Sequence, residues 1–200
     1  MMRSVFLSAG IPSSDSHPRY RKTSDVIAIR DSVRALVSVV APTAQLVFGG
    51  HPAITPLIRL IVRQMNLPVR RHVVLYQSRF FERTFPPEVA EFEEVRLTDA
   101  VPGNEGASLA EMRRIMISSQ PFDAGIFLGG MEGVEREYAL FRELHPDKPV
   151  YPIASTGAAA LLLFEQYQRN QVDLMNDLKY LSLFRRLLVP PAADSAATRK

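Results

Sequence analysis

The residues best suited to chemistry in this chain are glycines that close short apolar runs, and the polar side chains beside them. Gly49-Gly50-His51 closes the run at 45–48, and Gly129-Gly130-Met131-Glu132-Gly133 closes the run at 124–128. Ser8-Ala9-Gly10 follows the run at 5–7, and Ser155-Thr156-Gly157 follows the run at 150–153. Glycine lets a backbone turn sharply and lets a ligand approach main-chain N–H groups. A helix starting just beyond such a turn offers unpaired donors and a partial positive charge, which suits a phosphate. One such loop is a weak signal. Four on the same sheet edge point to a phosphorylated ligand.

Charged and aromatic side chains follow these loops. Arg19, Arg21 and Lys22 flank Tyr20 after the first one. They form either a solvated basic stretch or an arm that closes over a polyphosphate. In the second case the fork of Arg19 would pair two oxygens and Tyr20 would stack on a base. Arg79 lies just past the run at 72–76 and is a candidate for a phosphate oxygen. His51 either caps its loop or touches ligand. Ser8 can hydrogen-bond a ligand, but no visible base makes it a nucleophile. Ser155 and Thr156 are helix caps first and phosphate contacts second. Glu132, Glu135 and Glu137 fall in the first turns of a helix, where carboxylates complement its dipole.

The elements that must position these groups follow from the apolar pattern. Runs at 5–7, 45–48, 72–76, 124–128 and 150–153 read as buried strands, with a further strand at 95–97. Between them lie helical stretches. Val26, Ile29, Val33, Leu36 and Val40 form one face, capped by Thr23 or Ser24 and stopped by Pro42. Leu57, Ile58, Ile61, Val62 and Met65 form another, starting at Thr55-Pro56 or at Pro52. Ser108 and Glu111 have capping-box spacing ahead of Met112 and Met116. Val134, Tyr138, Phe141 and Leu144 make a fourth face, and a fifth helix spans 156–166. The last, through Leu174, Leu178, Leu181, Phe184 and Leu187, reads as core or as a dimer surface. Strands alternating with helices mean βαβ units. The expected fold is α/β, a Rossmann-like doubly wound, mostly parallel sheet with helices on both faces. It forms one domain over 1–189, with a disordered tail at 190–200.

Composition narrows the functions. The chain has 200 residues, 46% apolar and 22% charged, enough for a single buried core. It has no cysteine, which excludes a disulfide framework, a thiolate nucleophile and an iron–sulfur cluster. His17, His72 and His145 are scattered without metal-ligand spacing, so no metal and no resident cofactor are expected. A net charge of +3 does not point to nucleic acid. No apolar run approaches the ~20 residues of a membrane span, and residues 1–8 lack a signal-peptide core, so a cytoplasmic protein is expected. The Walker A, strict G-x-G-x-x-G and G-x-S-x-G patterns are all missing.

Phe6-Leu7-Ser8-Ala9-Gly10-Ile11-Pro12, Phe48-Gly49-Gly50-His51-Pro52 and Leu128-Gly129-Gly130-Met131-Glu132-Gly133 together resemble the SLOG superfamily. That group is named for Smf/DprA and the "lonely guy" (LOG) proteins. The resemblance spans residues 5–164. It runs in particular to SLOG domains of bacterial conflict systems, such as the sensor domain of the Thoeris effector ThsA. It implies a module that binds a nucleotide or an NAD-derived signal such as a cyclic ADP-ribose isomer. Ser8, Gly10, Arg19, Tyr20, Gly49, Gly50, His51, Arg79, Gly129, Gly130, Gly133, Thr156 and Gly157 would line its site. A lone sensor of this kind would need a separate effector protein as partner, while self-association as a homo-oligomer is expected from the last amphipathic helix, not from the resemblance.

The enzymatic LOG branch cleaves the base from a nucleoside monophosphate and carries P-G-G-x-G-T-x-x-E. Here Leu128 replaces Pro, one residue is added before Gly133, and Val134 replaces Thr. Glu137 falls at the Glu position, which implies a ribose ligand or a catalytic acid/base. Those departures leave binding as the leading expectation and N-glycosidic hydrolysis as the alternative.

Overall fold

The computed structural model describes residues 2–65 and 72–189. The apolar runs become six strands: β1 (Arg3–Gly10), β2 (Ala44–Gly49), β3 (Val73–Ser78), β4 (Val95–Thr98), β5 (Ala124–Gly129) and β6 (Val150–Ile153). Eight helices accompany them among the described residues: α1 (Pro18–Arg21), α2 (Val26–Val40), α3 (Thr55–Gln64), α4 (Glu105–Ser118), α5 (Glu132–Leu144), α6 (Ala158–Tyr167), α7 (Asp173–Asn176) and α8 (Tyr180–Leu188). The sheet order is β4-β3-β2-β1-β5-β6, and every pairing is parallel. This is the expected Rossmann-like architecture, with an all-parallel sheet.

Both faces of the sheet are covered, which is why its central strands are apolar at successive positions. Val5 and Leu7 of β1 join Ile29, Leu36, Ile58 and Phe184 in the core beneath α2, α3 and α8. Phe6 points the other way, into an aromatic core with Phe122, Phe127 and Phe141 under α4 and α5. The chain leaves β1 toward β2, β3 and β4, then returns to β5 on the other side of β1. That reversal makes the β1/β5 seam a topological switch point, the crevice where open α/β sheets receive ligands.

Several local expectations change. The cap of α2 is Asp25, whose carboxylate accepts from the Ala28 N–H at 2.9 Å; Thr23 serves α6 instead. Thr55 is the first residue of α3 rather than its cap, and its hydroxyl accepts from the His51 N–H at 3.0 Å. Helix α4 begins a turn before the Ser108/Glu111 box. Asn104 caps it, and the buried Ser108 hydroxyl bonds back to the loop at Val101. The segment after β3 folds as two 3-10 turns, Arg79–Thr84 and Pro87–Glu91. The last amphipathic stretch is two helices, α7 and α8. The break at Asp177–Lys179 shifts the buried face to Leu174, Tyr180, Leu183, Phe184 and Leu188, which pack within this chain. Leu178 and Leu181 are left exposed. The expected tail at 190–200 lies outside the described residues.

Gly157 joins the 3-10 turn Ala154–Thr156 to α6 at φ +70 and ψ −158, a region open essentially to glycine alone. A Cβ there would lie 1.7 Å from the Thr23 carbonyl oxygen. Gly103 has a similar φ of +67 but no neighbour within 4 Å. Gly157→Ala is therefore expected to cost roughly 2–4 kcal/mol, adding a backbone clash to dihedral strain. Gly103→Ala should cost about 1–2 kcal/mol, the strain alone. Urea midpoints at unchanged slope measure both, and equal losses would contradict the packing argument.

Candidate functional site

The C-terminal ends of β1, β2 and β5 open into a cleft of about 440 Å³ beside α4 and the start of α5. Glycine builds it. Gly129 and Gly130 turn the chain at φ +53 and +79. A Cβ on Gly129 would meet Ile29 at 2.4 Å and the Gly10 carbonyl at 2.8 Å. The Gly130 N–H donates to that same carbonyl at 2.8 Å, which locks the two loops together across the switch point. Behind them, Thr156 is fully buried. Its hydroxyl accepts from the Gly129 N–H at 2.9 Å and donates to the Ile153 carbonyl at 2.5 Å.

The turn delivers α5 with no side-chain cap on its N-terminus. Glu132 and Gly133 line the cleft at that end, so the first helical N–H groups remain available to an anion. Glu137 stands one turn further along. Its Oε2 accepts from the Ser8 hydroxyl at 2.6 Å, and its Oε1 accepts from Arg113 Nε at 3.1 Å. The Arg113 and Glu137 side chains are only 11% and 12% exposed, so their attraction is screened far less than a surface pair's. The expectation that Ser8 has no partner base needs correcting, because a carboxylate lies within hydrogen-bond reach. That carboxylate is also paired to Arg113, so the three side chains form one network that fixes its position. Arg136, exposed on the rim, has no salt bridge among the described residues.

Of the sequence-selected residues, Ser8, Gly10, Gly49, Gly50, His51, Gly130, Gly133 and Glu137 line this cleft. The others do not. Gly129 and Thr156 support it from behind. Gly157 is sealed against Thr23, and the Thr23 hydroxyl caps Ala158 at 3.0 Å, so the N-terminus of α6 is closed to ligand. Arg79 pairs with Glu82 at 3.2 Å and lies outside the cleft lining. Tyr20 is fully buried, which corrects the picture of a mobile arm stacking it on a base. Its hydroxyl donates to Glu135 at 2.9 Å, and burial with that acceptor pushes its pKa up to about 12. Arg19 bonds the Tyr20 hydroxyl and pairs with Glu135 at 2.9 Å. Sequence reasoning singles out neither Arg113 nor Arg136, which sit within helices where nothing in their spacing marks them. It places Gln77 with Ser78 and Arg79 at the ligand-binding end of its strand but assigns a contact to Arg79 alone.

His51 borders both the cleft and a smaller pocket beside it. Its Nδ1 accepts from the Ala53 N–H at 3.1 Å, so the neutral ring carries its proton on Nε2. A Cβ on Gly10 would lie 3.4 Å from that nitrogen. Burial holds the imidazole below its ordinary pKa of 6.5. The unfolded chain therefore takes up a proton that the folded one resists, and stability is lost as pH falls below 6.5. Between pH 7.5 and 5.5 the melting temperature should drop more steeply in the wild type than in His51→Gln. Parallel slopes in scanning fluorimetry would refute this.

Among the described residues no helix is long and apolar enough to cross a membrane, and no cluster of three His, Asp or Glu side chains could hold a metal ion. No curated protein matches the chain. The crystal structure of TM1055, a Northeast Structural Genomics Consortium target, is similar with a TM-score of 0.58. It is 18% identical, over 82% of this chain and 81% of that one, a likeness that shows the fold alone. The family model described as the SLOG cluster3 family matches residues 19–188. That span takes in β2 to β6 and the glycine turns after β2 and β5. The resemblance carried by those turns holds at this level: the chain belongs to the SLOG cluster3 family.

Proposed function

We propose that this protein is a binding module for a nucleotide or an NAD-derived signal, held at the β1/β5 switch point. The observation that carries the reading is the uncapped N-terminus of α5, which opens into the cleft one turn before a fixed Glu137. A phosphate would rest on the first N–H groups of α5 and pair with Arg136 at the rim. Ribose hydroxyls would donate to the lone pairs of Glu137 that Ser8 and Arg113 leave open. Gly10, Gly49 and Gly50 line the cleft beside that sugar. The finer reading, a cyclic ADP-ribose-type signal in bacterial conflict signalling, rests on the resemblance to conflict-system SLOG domains. Such a receptor acts through a partner, either a second copy of itself or a separate effector.

One observation favours a second reading. Glu137 occupies the cleft itself rather than the solvated face of α5, at the position of the LOG-branch Glu. A fixed carboxylate there could stabilise positive charge on ribose as an N-glycosidic bond breaks.

Thermal shift separates the outcomes. The panel is AMP, ADP-ribose, NAD, cyclic ADP-ribose isomers and cyclic dinucleotides. A ligand at a hundred times its Kd stabilises by about 2.7 kcal/mol, or roughly 5–10 °C for a chain of this size. Chromatography of the same samples then shows the ligand's fate. A receptor leaves the ligand intact, and Glu137→Ala weakens the shift. A hydrolase releases free base, and Glu137→Ala abolishes the release. No shift with any member would overturn the proposal.

A further inference from the structure

Beside the main cleft lies a second cavity of about 200 Å³. It sits over the ends of β2 and β3, between α4 and the 3-10 turn Arg79–Thr84. The two spaces adjoin, since Gly50, His51, Leu109 and Met112 line both. Their chemistry differs. The cleft carries arginines and carboxylates. The side pocket has no Asp, Glu, Lys or Arg in its lining and is walled by Phe81, Phe85, Pro86, Leu109 and Met112. Such a wall suits a flat neutral ring and offers nothing to a phosphate.

One polar side chain in this wall is unspent. Gln77 is 6% exposed, yet no hydrogen bond reaches its carboxamide among the described residues. The other polar side chains of the pocket all have partners. Ser78 Oγ accepts from the Phe80 N–H, the Thr84 hydroxyl donates to the Phe81 carbonyl, and His51 Nδ1 accepts from the Ala53 N–H. The Gln77 amide is not among the sealed-off, unpartnered polar groups of the described residues, so it stays open to whatever enters the pocket. Gly50 shows how it is held. A Cβ at Gly50 would lie 1.9 Å from Gln77 Nε2 and 2.5 Å from Oε1. The carboxamide therefore lies across the Gly50 α-carbon, at the wall of the pocket that both residues line. Only glycine leaves room for it.

We propose that Gln77 reads the heteroaromatic ring of the ligand, and that the side pocket is a base-specificity site. A primary carboxamide presents an acceptor and a donor side by side. It complements a ring edge that does the same, such as an amino group beside a ring nitrogen or a lactam N–H beside its carbonyl. The ligand class is thus a nucleobase with an intact hydrogen-bonding edge, reached from a ribose phosphate in the main cleft. The volume admits one ring system. This assignment rests on the nucleotide reading of that cleft and adds the residue that selects the base.

The test uses calorimetric titration of the full chain with three kinds of probe. Ribose 5-phosphate reports the cleft alone. AMP, GMP, CMP and UMP add a base with a hydrogen-bonding edge. Purine riboside 5′-monophosphate adds the ring but lacks the exocyclic group. In the wild type at least one of the four nucleotides should bind tenfold or more tightly than both ribose 5-phosphate and the unsubstituted purine. Gln77→Met keeps the length and removes both polar atoms, and should reduce the preference over the unsubstituted purine to within about twofold. The wild-type ratio needs no variant, so the test survives even if Gln77→Met fails to fold. Should nothing bind, this assignment falls, and if the thermal-shift panel is silent as well the nucleotide reading of the cleft falls with it. Should nucleotides bind no better than the two reference probes, or should Gln77→Met retain the preference, the cleft reading stands and the role of Gln77 is overturned.

Discussion

The contact on which the rest depends is the approach of two backbones across the switch point. The Gly130 N–H donates to the Gly10 carbonyl, and that carbonyl sits where a Cβ on Gly129 would be. The two strand ends can come this close only because neither loop carries a side chain there. Parallel strands β1 and β5 pair in register up to Gly10 and Gly129, and the glycines then fold the chain over into α5. Any larger residue at Gly129 would press on Ile29 of α2, so the turn is wedged from the opposite helical layer as well. The cleft exists because the chain reverses here, and α5 points its N-terminus into it for the same reason.

Rigidity behind this turn lets the site present groups without spending them on itself. Thr156 saturates the Gly129 N–H from inside the core, and Thr23 closes the neighbouring helix α6. Two helix starts thus lie close together with opposite fates. That of α6 is capped and sealed, whereas that of α5 carries no side-chain cap. Glu137 shows the same economy, because Ser8 and Arg113 orient it from two different elements, β1 and α4. A carboxylate held from two sides loses little rotamer freedom when a ligand arrives, which is the physical content of preorganisation.

Much of this was legible in the sequence, and the illegible parts share a cause. Strands were readable because both sheet faces are buried and their residues run continuously apolar. The glycine turns were readable because few residues tolerate such dihedrals. Gly157 and Thr156, however, look like ligand-binding residues in sequence and serve packing in the structure. The local signature of a phosphate loop is also that of a tight crossover, and only the tertiary neighbour, here Thr23, distinguishes them. Tyr20 was misread for a related reason. Flanked by Arg19, Arg21 and Lys22 it looks solvated, yet one residue of a four-residue helix can be buried while its neighbours face water. The start of α4 shows the limit of cap motifs. Ser108 and Glu111 match a capping box, but Asn104 offers an equally good oxygen one turn earlier, and the longer helix prevails.

The roles of Arg113, and of Gln77 at its strand end, were illegible for a different reason. Each becomes informative only through what it does or does not touch. An arginine in the middle of a helix is ordinary until its partner is found to be a cleft carboxylate. A glutamine at a strand end is ordinary until its amide is found unpaired, against a glycine and facing a pocket. Glycines record where two backbones must come close, and their number overstates the ligand contacts, since Gly129 and Gly157 serve packing. Donors and acceptors left open within a pocket record where a ligand has room to come close. Among the described residues the two kinds of record meet inside a pocket at Gly50, whose missing side chain makes room for the Gln77 carboxamide that no described residue satisfies. That overlap makes the end of β3, rather than another glycine turn, the place where the site gains selectivity.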